Sequence, residues 1–170
     1  MADPKISIEA PYNPLAKENL GKSVAEALLE RPPGPLPPEE RFIAAGIYAI
    51  YYNGPFKLYA PLVEKNRAAA KRGLPETPIY IGKAVPAGAR RGDLGQNGAS
   101  GSILYDRLCE HANSIRAARS TLRLRDFSCR YLAVDGIWIP LAESIMVEMF
   151  NPLWNKVVEG FGLHSPGKGR

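Results

Sequence analysis

The sequence predicts an α+β fold: a small three-stranded central sheet flanked by helices, with an N-terminal arm and an inserted helix and loop. Short runs of aromatic and β-branched residues alternate with longer segments of helical period, so strands and helices interleave. The first 38 residues hold 8 of the 16 prolines, a density that keeps them out of any central strand. A chain of 170 residues with 45% hydrophobic content is long enough for one domain with its own core.

The arm is assigned to residues 1–40. Within it, Glu18–Glu30 carries Leu20, Val24 and Leu28 on one stripe and reads as a short helix between two proline clusters. From Phe42 the pattern turns β-rich. Gly46–Tyr52 reads as a strand ended by the Asn53-Gly54 turn. An insertion over 54–78 follows, in which Leu62–Arg72 is helix-like and Gly73 and Pro75 stop it. Ile79–Ile81 is the second strand. The loop from Pro86 to Gly101 contains five glycines between Gly88 and Gly101, and a loop of that length is usually functional or disordered.

Ser102–Ala118 is a helix by period, with Leu104, Leu108 and Ile115 on its buried side. Phe127–Val134 is the third strand. Pro140 opens the last helix, whose stripe of Leu141, Ile145 and Met149 runs to Phe150 before Asn151-Pro152 ends it. The main domain is thus placed at 41–160, with a basic Gly/Pro-rich tail over 161–170.

Charge is unevenly spread. Residues 1–45 carry 5 basic and 7 acidic side chains, whereas residues 46–170 carry 17 basic and 10 acidic ones. Arg107, Arg116, Arg119, Arg123, Arg125 and Arg130 form an arginine-rich block, a composition suited to phosphate, which guanidinium binds bidentately. No stretch approaches the ~20 apolar residues that span a bilayer, and the N-terminus lacks the apolar core of a secretory signal. Cys109 and Cys129 have no metal-ligand spacing and read as free thiols of a cytoplasmic protein. Nothing cradles a nucleotide, so no organic cofactor is expected.

Six features then occur in order: Gly46-Ile47-Tyr48, Tyr80-Ile81-Gly82, Arg107 and His111 at i, i+4 on one helix, Glu143 on the next helix, and Asn155 in Asn-Pro-Leu-Trp-Asn. Singly, each has an ordinary reading: packed strand aromatics, a surface carboxylate, a helix histidine, a turn asparagine. Together, over residues 43–160, they resemble the GIY-YIG nuclease superfamily. Two departures mark the branch: the two tyrosines are 32 positions apart where about ten is usual, and His111 stands where many members carry tyrosine. A long insertion, Arg-xxx-His and the C-terminal run Gly-Phe-Gly-Leu-His-Ser-Pro-Gly-Lys-Gly-Arg are similar to restriction enzymes that cut the palindrome CCGCGG. Members of that branch continue beyond the equivalent of Arg170, which implies that this chain ends early.

The resemblance implies a type II restriction endonuclease that hydrolyses double-stranded DNA at a short G·C-rich palindrome, acting as a homodimer beside a companion methyltransferase. It implies Mg²⁺, with Mn²⁺ able to substitute, held by Glu143. Tyr48 would be general base, with Lys83 and the metal favouring its phenolate, and Tyr80 would orient the attacking water. Arg107 would hold the scissile phosphate, His111 would relay a proton, and Asn155 would hold Glu143 or a phosphate. Arg67, Arg90, Arg91, Arg116, Arg119, Arg123 and Arg125 are the candidates for DNA contact. Two alternatives remain: a repair or mobile-element nuclease of the same superfamily, which usually carries a further binding domain, and a catalytically dead DNA-binding module.

Overall fold

The computed structural model describes residues 10–86 and 101–157. Most of the glycine-rich loop, with Arg90 and Arg91, and the tail from 161 to 170 lie outside the described residues.

The strands are β1 (Gly34–Pro35), β2 (Gly46–Tyr52), β3 (Tyr80–Ala84) and β4 (Phe127–Ala133), and the helices are α1 (Lys17–Leu29), α2 (Ala60–Lys71), α3 (Ile103–Ala117), α4 (Ile139–Phe150) and α5 (Leu153–Val157). The sheet order is β1-β4-β2-β3, with every neighbouring pair antiparallel. The expectation of three strands is corrected to four: the proline-rich segment supplies β1, in which Gly34 and Pro35 pair with Cys129 and Ser128. Proline is tolerated there because β1 lies at the sheet's edge. The buried Cys129 thiol donates to the Pro35 carbonyl at 3.2 Å, and burial pushes that thiol up to about 12.

All seven residues of β2 are buried because both faces of the sheet are covered. Side chains alternate across a strand. Tyr48, Ile50 and Tyr52 therefore join the α3 side of the core with Leu104, Leu108 and Ile115. Ile47, Ala49 and Tyr51 join the side covered by α1 and α4, with Leu28, Ile139 and Met146. On α1 the buried stripe is Gly21, Ala25 and Leu28, which keeps the expected Leu28 and replaces Leu20 and Val24 by the residues one position on. Arg130 is no surface charge: its guanidinium lies 4.7 Å from the centroid of the Tyr51 ring, and its Nε donates to the Arg31 carbonyl at 2.8 Å.

The insertion folds back on itself. Asn66, buried on α2, donates to the Thr77 carbonyl at 3.0 Å and accepts from the Thr77 N–H at 2.8 Å, closing the excursion just before β3. The five-residue helix α5 is an element the sequence did not announce. Asn151 is left-handed (φ 51°) and ends α4, as Asn-Pro predicts, but the chain resumes a helical turn at Leu153. That turn delivers Trp154, whose Nε1 donates to the Tyr59 hydroxyl at 3.0 Å and ties the insertion to the core.

Candidate active site

β3 is an edge strand, and an open edge exposes backbone N–H and C=O groups. At Ile81 both are taken by one side chain: Asn155 Oδ1 accepts from Ile81 N–H at 2.9 Å, and Asn155 Nδ2 donates to the Ile81 carbonyl at 2.8 Å. The Trp154 N–H likewise donates to the Ile79 carbonyl at 2.9 Å. Asn155 thus acts as a surrogate strand for the β3 edge. Its amide is engaged with the middle residue of Tyr80-Ile81-Gly82, which it holds in place.

The register explains the motif. Tyr48 pairs across the sheet with Gly82. The Tyr48 ring lies over that glycine, so a Cβ there would come within 2.9 Å of Tyr80 Cε1 and would overlap the Tyr48 hydroxyl. Gly46 is required in the same way by its approach to the Leu132 carbonyl on the other neighbouring strand.

Tyr48, Tyr80 and His111 form a three-ring cluster with centroid separations of 6.1, 5.4 and 5.0 Å. The Tyr48 hydroxyl lies 2.6 Å from His111 Nε2. His111 is itself buried, on the sheet-facing side of α3. One turn earlier on that helix, Arg107 is steadied by Glu110 at 3.1 Å and is the cation whose field favours ionisation of Tyr48 and Tyr80. The start of α3 is pinned in turn: Ser102 Oγ accepts from Arg41 Nη2 at 2.6 Å and donates to Asp106 at 2.8 Å.

Lys83 and Glu143 approach from the other face. Lys83 pairs with Ile47, so its side chain leaves the sheet on the α4 side and forms an ion pair with Glu143 Oε2. Glu143 nonetheless acts electrostatically on both Tyr48 and Tyr80, because β3 is the sheet's last strand and the two faces meet around it. Lys83 neutralises Glu143, and the cation acting on Tyr48 is Arg107.

Burial is the largest influence on Tyr48, and it pushes the phenol above the ordinary tyrosine range; Tyr51 and Tyr80 move the same way for the same reason. These groups stay protonated in the fold while the unfolded chain ionises from about pH 10 upward, so their contribution to stability is intact below that pH and is lost as pH rises beyond it. The expected result is an unfolding free energy, from urea titration, that drops between about pH 8 and pH 11, with a drop smaller by about 1.4 kcal/mol in Tyr48→Phe. Equal drops in the two proteins would contradict the burial argument.

Of the remaining arginine candidates, Arg67 is exposed on α2 and Arg116 is exposed but bonded to Asn113 at 2.8 Å. Arg125 lies 4.0 Å from Asp126, whereas Arg119 and Arg123 line one concavity with Lys57, a residue that sequence reasoning passed over. Lone lysines after a turn carry no signal, and only the fold brings this one to the end of α3.

An antiparallel sheet with a Tyr48–His111–Tyr80 cluster on one face, Arg107 beside it and Glu143 around the edge defines a nuclease domain of the GIY-YIG class. The family model described as "Eco29kI GIY-YIG domain" matches residues 40–170, and the chain belongs to that family, in the restriction endonuclease branch of the class. No curated protein matches the chain.

Proposed function

We propose that this chain is a type II restriction endonuclease. In this reading it hydrolyses double-stranded DNA at a short G·C-rich palindrome, CCGCGG by resemblance, in a Mg²⁺-dependent reaction in which Mn²⁺ can substitute. A palindrome calls for two active sites, and a symmetric homodimer is the simplest supply. A companion methyltransferase would protect the host's own DNA in the cytoplasm. The observation that carries the reading is the Tyr48–His111 contact at 2.6 Å beside Arg107, a buried proton path next to a phosphate-binding cation.

The donor set fits a hard metal. Glu143 is the carboxylate whose charge acts on both Tyr48 and Tyr80 at the β3 edge. Mg²⁺ takes one or two protein carboxylates and completes its shell with water and substrate phosphate, which suits a single glutamate. When bound, the ion supplies Lewis-acid neutralisation of phosphate charge.

The protein's own residues do the rest. Arg107 binds a non-bridging phosphate oxygen and offsets charge that grows in the transition state. Tyr48 takes a proton from the attacking water while its own proton passes to His111 Nε2. Because the two transfers are coupled, no free phenolate has to exist beforehand, which burial would oppose. Tyr80, whose ring packs against that of Tyr48, orients the water. Lys83 holds the Glu143 carboxylate toward the β3 edge, and Asn155 holds the edge itself.

Digestion of a plasmid in Mg²⁺ by wild type and Glu143→Ala tests the reading. Discrete bands from wild type and a rate about 10³-fold lower in the variant are expected. A smear would point to a non-specific repair nuclease, and intact plasmid with a retained gel shift to a catalytically dead binding module.

A further inference from the structure

Lys57, Arg119 and Arg123 converge on one concavity of about 400 Å³, formed where the turn after β2 meets the loop after α3. The hydroxyl residues Ser120 and Thr121 line it as well. Its one carboxylate, Asp126, has Arg125 as its ion-pair partner at 4.0 Å, and among the described residues no carboxylate pairs with any of the three cations. Like charges gathered in a groove repel one another, and such an arrangement persists at a surface where an anion is to be received. Two guanidinium forks and an ammonium, with hydroxyl donors between them, match the oxygens of a phosphodiester.

The groove's place on α3 says which phosphodiester. Arg107 lies on α3 next to the ring cluster, ten residues before the helix's last residue, Ala117, and Arg119 lies two residues past that end. At 1.5 Å per residue the helical part spans about 15 Å, so the groove just beyond it lies about five base-pair steps of B-DNA away at 3.4 Å each. We propose that this groove is a remote anchor for the DNA backbone, binding a phosphate about five base pairs from the scissile one on its nearer, flanking side. The proposal rests on the nuclease reading and deepens it. Arg119 and Arg123 are assigned to the backbone and not to bases, Lys57 joins them, and Arg116 and Arg125 are left out.

The test compares wild type with Lys57→Gln/Arg119→Gln/Arg123→Gln on two duplexes centred on CCGCGG, one of about 8 and one of about 30 base pairs, without metal. On the long duplex the variant should bind about tenfold more weakly, and the slope of log affinity against log salt should fall by about one for each phosphate no longer neutralised. On the short duplex, which ends before the groove, the two proteins should bind alike. Equal affinity and slope on the long duplex would overturn the anchor, as would equal weakening on both duplexes, which would mark a general charge effect. If wild type cleaves while either of those results holds, the groove alone fails; if wild type neither binds nor cleaves, the nuclease reading fails and takes the anchor with it.

Discussion

Tyr48→Phe is expected to slow DNA cleavage by about 10²–10⁴-fold, the range in which a positioned acid–base group contributes, while leaving DNA affinity unchanged. The substitution removes one oxygen from the ring cluster and leaves His111 Nε2 without its 2.6 Å partner. Loss of that buried hydrogen bond costs about 0.5–1.5 kcal/mol, so the melting temperature should fall by a few degrees without loss of the fold. Single-turnover cleavage and gel shift, measured side by side, separate these effects. A variant that folds, binds and still cleaves at near the wild-type rate would remove Tyr48 from the chemistry and leave His111 to act on water directly. His111→Ala should resemble Tyr48→Phe in cleavage, because the two side chains form one proton path. Their double variant should then lose little more than either alone, as residues that act as a unit do.

Gly82→Ala is expected to abolish most cleavage although it adds a single methyl group. The new Cβ would occupy space held by the Tyr48 hydroxyl and approach Tyr80 Cε1. Neither ring can swing aside cheaply, since Tyr48 is 1% and Tyr80 8% exposed, packed against each other and against His111. Overpacking of this kind costs about 1–3 kcal/mol. The functional loss should be larger than the stability loss implies, because displacing Tyr48 by about 1 Å breaks its reach to His111. Circular dichroism and urea titration would show a folded, mildly destabilised protein, and plasmid digestion an inactive one. Wild-type cleavage by Gly82→Ala would mean that the Tyr48 hydroxyl is not where the reaction needs it. Gly34→Ala is a matched control, since an added Cβ there meets nothing.

Much of this architecture is legible without coordinates. The strand at Gly46–Tyr52 and the helices α1 to α4 lie within two residues of where periodicity and turn residues place them, because those signals are local. The motif residues are legible too, through their order along the chain. β1 and α5 are not. A Gly-Pro pair is a strand only by virtue of Cys129 and Ser128 opposite it. A five-residue helix is too short to show a period, and its purpose, covering the β3 edge, exists only once β3 has an edge.

The division follows from what each level encodes. The order of residues along the chain is enough to say which are apolar, where helices and strands begin and end, and which reactive side chains are available. Which of them meet is a matter of packing in three dimensions. Tyr48 and His111 are 63 positions apart, Lys83 and Glu143 are 60, and Ile81 and Asn155 are 74. Periodicity states the side of its own element on which a residue sits, but not the element that packs there or the strand that ends the sheet. That is why Lys83, adjacent in sequence to the motif, serves Glu143 across the edge, while Arg107, a helix away, is the cation that Tyr48 feels.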